Sequence, residues 1–175
     1  AGAADYLATG TGTVSEGSPR GQAPLENRLR YSQDYSQAMW TKQARVVVTS
    51  NTVTAPDGTL TGSTIDRNAA AASTGLYQLC LAADRPPAPN MATRSVYVKG
   101  VAGETLEIQD PASGVGTTVV TLTAEWQRVS LIEAASTPGV GIWLRKRASG
   151  TPVTSFYMWG AQVTGTANYS QYIQS

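Results

Sequence analysis

The carboxylates Asp57, Asp66, Glu104, Glu107, Asp110, Glu125 and Glu133 are the candidates for general acid and base work. Paired-carboxylate catalysis would require the fold to bring two of them together. They are scattered along the chain, at turns and strand ends where an acidic side chain ordinarily caps a turn or faces water. Histidine is absent, which removes the commonest general base, the commonest metal ligand and every imidazole triad. Cys80 lies in an apolar alternating stretch with no imidazole to activate it, and reads as a small buried hydrophobe. Only hard oxygen ligands remain for a metal, which means calcium. Asp57 with Gly58, or Asp66 with Asn68, are the places to look, and neither forms a dense oxygen-rich run. No metal and no cofactor is expected.

The aromatic residues are a sharper signal. Four tryptophans (Trp40, Trp126, Trp143 and Trp159), eight tyrosines and one phenylalanine supply flat rings that stack on the apolar faces of sugars or fill the space between two sheets. Trp40 and Trp159 sit in contexts that favour packing. Trp143 shares its strand face with Arg145 and Arg147, so it suits either a glycan platform or a subunit contact, where Trp and Arg are typical anchors. Tyr97 joins these three as a candidate ligand or interface residue.

These side chains must be carried by short strands. Charged residues make up 14% of the 175 residues, Gly numbers 17, and segments of alternating pattern recur between Gly, Pro, Asn and Asp. They fall at 45–49, 60–65, 76–81, 93–99, 105–109, 117–123, 126–132, 140–146 and 155–163. The first two flank Ala55-Pro56-Asp57-Gly58, a hairpin or sheet-crossing turn, and 85–90 is a Pro-rich loop that no central strand could contain. Alternation turns Val46, Val48, Val96, Val98, Leu106, Ile108, Leu131, Ile142 and Leu144 inward. Ser95, Tyr97, Lys99, Glu107, Gln109, Trp143, Arg145 and Arg147 then face outward. The run 69–72 holds a loop or a helical turn. The predicted fold is all-β, an antiparallel two-sheet β-sandwich over residues 27–175.

Residues 1–26 are different. Gly and Pro punctuate them and few apolar side chains interrupt them, so they cannot build a core. They read as an extended N-terminal arm that is either a disordered tail or ordered on neighbouring subunits. Fully extended, it would span on the order of 80 Å, and Tyr6 and Leu7 are its expected buried anchors. A net charge of +1 gives no field to hold a nucleic-acid backbone. No apolar run approaches the roughly 18 residues of a membrane span, and the opening residues lack a signal-peptide pattern. A chain starting at Ala1 is what remains after an initiator Met is trimmed, so a complete, soluble, cytoplasmically made product is expected.

Six segments in order carry a resemblance. They are 29–42 (LRYSQDYSQAMWTK), 55–61 (APDGTLT), 95–99 (SVYVK), 122–130 (LTAEWQRVS), 159–163 (WGAQV) and 169–173 (YSQYI). Together they resemble the lectin-like jelly-roll modules of phage and prophage virion structural proteins, over residues 27–175. Tyr35 stands where that family commonly has Phe, Gln33 where it has an acidic residue, and Gln174 where it has Pro. The resemblance implies a concanavalin-like or carbohydrate-module-like sandwich on a virion surface, without catalysis. It carries over no sugar site, because Trp40, Trp126 and Trp159 look structural in the family too.

Two roles follow from the resemblance. A capsid decoration (cement) protein needs a compact body plus an arm, so this is the favoured expectation, with a homotrimer and the major capsid protein as partners. The alternative is a glycan-binding receptor-recognition module of a tail fibre or tailspike, whose partner would be a host surface glycan.

Overall fold

The structure is a computed structural model that describes residues 26–67, 72–86, 91–112, 116–134, 140–148, 150–165 and 172–175. The expected arm with its anchors Tyr6 and Leu7, Asn68, most of the 69–72 run and most of the Pro-rich loop lie outside the described residues. Within the described residues ten strands follow in order: β1 (Thr41–Lys42), β2 (Val47–Val53), β3 (Gly62–Asp66), β4 (Gly75–Leu79), β5 (Met91–Gly100), β6 (Thr105–Gln109), β7 (Thr117–Thr121), β8 (Gln127–Ala134), β9 (Gly141–Lys146) and β10 (Ser155–Thr164). Among the described residues the one helical element is a 3₁₀ turn at Ala82–Asp84.

The strands form two five-stranded sheets, ordered β1-β4-β9-β6-β7 and β2-β3-β10-β5-β8. All strand pairings are antiparallel. From β4 onward the chain crosses repeatedly between the sheets, which makes the sandwich a jelly roll. The predicted strands are therefore present. The 55–58 turn is a hairpin in which Gly58, at φ +85°, donates its N–H to the Ala55 carbonyl at 3.0 Å.

Alternation explains the core. Val96, Val98, Leu106, Ile108, Ile142 and Leu144 are fully buried between the sheets, Val46 and Leu131 are also buried, and Val48, near the start of edge strand β2, packs partly against them. Cys80 is buried as expected, and burial pushes its thiol up to about 12. Tyr35 and Trp40 are buried in the same core and meet edge-to-face at 4.9 Å. The Trp40 indole N–H donates to the Tyr31 carbonyl at 3.0 Å, which satisfies its one polar group.

Two buried arginines from the second sheet reach across this core to β9. Arg94 of β5 donates through Nε to the Gly141 carbonyl at 2.8 Å and forms a short ion pair with Asp110. Arg67, just after β3, donates to the Leu144 carbonyl at 3.2 Å and to the Thr74 carbonyl. Each arginine is fully buried. Burial, with the Arg145 charge nearby, lowers the Arg67 pKa to about 10. The central strand β9 is thus held near both ends from the opposite sheet, with Trp143 between the two anchor points.

Candidate functional site

β9 is the middle strand of the first sheet, and its outward side chains are Trp143 and Arg145. Register places Tyr77 of β4 and Gln109 of β6 directly opposite Trp143 on either side, and Glu107 opposite Arg145. Strands lie about 4.8 Å apart, so the row Tyr77, Trp143, Gln109 covers roughly 10 Å of the sheet face. The Tyr77 and Trp143 rings meet edge-to-face at 6.0 Å. Gly75 makes room for the indole: a Cβ there would lie 2.6 Å from Trp143 Nε1.

Arg145 organises the charges. Its guanidinium stacks on the Trp143 ring at 4.5 Å from the centroid, and it donates through Nη1 to the Gln109 side-chain oxygen. Glu107 lies 3.9 Å from Arg145 Nε and 3.4 Å from Arg147 Nε. Two rings, two guanidinium groups and a carboxylate therefore form one half-buried platform, with the buried Gln109 amide beneath Arg145 as its support. The platform offers ring edges and the part of the Trp143 ring that Arg145 leaves uncovered for packing, with the guanidinium groups and Glu107 as donors and acceptors for hydroxyl groups.

Three of the four residues singled out in the sequence, Trp143, Arg145 and Arg147, stand together here. Trp143 is half-buried rather than fully exposed, because Arg145 and the Gly75 backbone cover part of it. Tyr97 does not join them. It lies on β5 in the other sheet, on the opposite outer face, beside Trp159 at 5.6 Å and under the Arg128 guanidinium at 5.4 Å. Tyr77, Glu107 and Gln109 complete the platform and were not singled out as site residues. The outward parity of Glu107 and Gln109 was visible, but the register joining them to Trp143 was not.

The fold does bring two carboxylates together, in the interior. Asp110 and Glu133 converge on Arg94, with Glu133 at 3.8 Å, and burial raises the Glu133 pKa above its ordinary value. Asp110 is fully buried and also accepts from the Ala112 N–H at 3.0 Å. This cluster is a structural joint between β5, β6 and β8. Among the described residues no group of three or more Asp, Glu or Cys side chains is placed to hold a metal ion.

No protein-family model and no curated protein sequence matches the chain. Solved structures do. The C-terminal family 22 carbohydrate-binding module of Clostridium thermocellum Xyn10B is 14% identical with a TM-score of 0.57, over 84% of this chain and 94% of that one. The N-terminal carbohydrate-binding and GH10 modules of the same organism's endo-1,4-β-D-xylanase 10B, solved with xylohexaose, are 16% identical with a TM-score of 0.56. There the match covers 84% of this chain and 29% of the longer one. The enzymatically active domain of tailspike protein 4 from bacteriophage CBA120 is 11% identical with a TM-score of 0.55, over 78% of this chain and 21% of that one. At these identities the likeness is one of fold: the chain is a lectin-like jelly roll of the kind found in carbohydrate-binding modules.

Proposed function

We propose that the protein is a non-catalytic glycan-binding module whose platform on the first sheet, centred on Trp143, takes a polysaccharide chain. The observation that carries this reading is the cross-strand row Tyr77, Trp143, Gln109, flanked by Arg145 and Glu107. A pyranose packs its C–H face on an aromatic ring while its hydroxyls meet preset donors and acceptors, and here both are supplied in one plane. Among the described residues of this sheet, Glu107 is the sole carboxylate. Most glycosidases flank the bond with two carboxyl groups, which supports the non-catalytic reading of this platform.

The tail-fibre or tailspike setting is the context in which such a module would recognise a host surface glycan. The capsid-decoration reading rests on the arm, and the experiment separates the two. On a glycan array, the full chain should bind a defined glycan set, and Trp143→Ala should weaken that binding at least about tenfold, or about 1.4 kcal/mol. Absence of array binding together with association to empty capsids would replace this reading with decoration.

A further inference from the structure

The outer face of the second sheet carries a second constellation. Trp159 of β10 and Tyr97 of β5 stand in register opposite each other, with their rings 5.6 Å apart. Tyr172, from the C-terminal segment, packs on Trp159 at 4.6 Å. These three rings line an open cleft of about 390 Å³ with Gln33, Asp57 and Gln174, within the size range of small-molecule sites.

The cleft is built by specific local features. Between Trp159 and Gln162 the pairing with β5 slips, and Gly160 sits in this bulge at φ +60°. A Cβ on Gly160 would come within 3.2 Å of the Tyr172 ring, so the glycine both makes the bulge and seats the ring. The Tyr172 hydroxyl shares a short hydrogen bond with Ser32, and the Trp159 indole N–H donates to Thr61 Oγ1 at 2.9 Å. Asp57 is fixed by Thr59, whose hydroxyl and N–H donate to its Oδ1 at 2.6 and 2.9 Å.

We propose that this cleft is a second binding site, for a neutral saccharide unit. The ring geometry selects the ligand class. An ammonium group needs rings splayed around it, each within about 6 Å of the cation. Here the Tyr97 ring already carries the Arg128 guanidinium at 5.4 Å, and Tyr97 and Tyr172 pack at tilts of 57° and 55° on the buried Trp159, which leaves half-exposed tyrosine surface suited to the apolar face of a sugar. The Arg128 guanidinium over Tyr97 at 5.4 Å offsets the charge of the lining residue Asp57, so a ligand without net charge is favoured over an anionic or a cationic one. The Asp57 carboxylate and the Gln33 and Gln174 amides supply the acceptors and donors that hydroxyls require. The site lies on the opposite outer face from Trp143 and is independent of the platform.

The test is an NMR titration of the isotope-labelled full chain with xylohexaose, cellohexaose and maltohexaose as neutral probes, sialyllactose as the anionic probe and choline as the cationic one. At least one neutral probe should shift the Trp159 indole N–H and the Gln33 and Gln174 side-chain amides, and the shifts should persist in Trp143→Ala. Affinity at these resonances should fall at least about tenfold in Tyr97→Ala and in Asp57→Asn, with near-ultraviolet circular dichroism unchanged. Asp57→Asn keeps the acceptor for Thr59, so it reports on the ligand if Tyr97→Ala unfolds. The proposal is overturned if no neutral probe shifts these resonances, if only choline or sialyllactose does, or if Trp143→Ala abolishes the shifts. A response at Trp159 with silence at Trp143 supports the cleft and overturns only the platform.

Discussion

Replacing Asp110 by Ala should be among the most damaging single changes in this chain that leave both outer faces untouched. The side chains of Arg94 and Asp110 are 0% and 1% exposed, so the substitution strands a guanidinium in the core. What remains for Arg94 is the Gly141 carbonyl at 2.8 Å, the Ala92 carbonyl at 3.4 Å and Glu133 at 3.8 Å. Breaking a buried pair by removing one partner costs about 3–5 kcal/mol. Because Glu133 stays within 4 Å, the lower half of that range is expected. With a urea dependence of about 2–3 kcal/mol per molar, the unfolding midpoint should fall by roughly 1–2 M. Tryptophan fluorescence during urea unfolding measures it. The double substitution Arg94→Met with Asp110→Leu removes both buried charges and should cost less than Asp110→Ala alone. A midpoint shift below about 0.3 M for Asp110→Ala, or a double variant worse than either single one, would refute the reasoning.

Further expectations follow from the same geometry. Burial, the largest influence on Glu133, raises its pKa above 4.5, with Arg94 acting in the opposite direction. The stability tied to that proton is therefore complete below the ordinary value and is lost as pH rises through the folded one. Glu133→Gln should match or exceed the parent at neutral pH and lose that advantage on acidification, read from thermal midpoints against pH. Cys80, with its thiol pushed up to about 12, should resist iodoacetamide at about pH 8 and react once guanidinium unfolds the chain, followed by mass spectrometry. Gly160→Ala places a side chain at φ +60° against Tyr172. It should lower stability by about 1–2 kcal/mol and weaken the second cleft while sparing binding at Trp143.

Alternation carried most of the fold. Val96 and Val98, and Val140, Ile142 and Leu144, recur at every second position, so they could be turned inward and Trp143 outward from period alone. β1 escaped because Thr41–Lys42 is too short to show a period. Parity says which side chains leave a strand's core face, but not which sheet the strand joins. That is why Tyr97 and Trp143, both outward, were grouped although β5 and β9 belong to different sheets. The same limit hid Tyr77 and Glu107 as partners of the platform, since antiparallel register between distant strands is set by long-range packing. Arg94 shares parity with Val96 and Val98, and that was the available sign of a buried arginine. Its partner Asp110 lies on a strand end in the other sheet, where no local pattern reveals it. Tyr172 reaches the second cleft through the bulge at Gly160, a tertiary feature with no periodic signature.

Isothermal titration of the full chain and of Trp143→Ala with the glycan selected on an array tests the central claim most directly. Trp143 stands on a strand held from the opposite sheet by Arg67 and Arg94, and its ring lies outside the core. The variant should therefore keep the parent's near-ultraviolet spectrum apart from one indole. It should also lose at least about tenfold in affinity, about 1.4 kcal/mol, with any residual binding sensitive to Tyr97→Ala. Unchanged affinity in a folded Trp143→Ala protein would contradict the assignment of the first sheet's outer face as the glycan-binding surface.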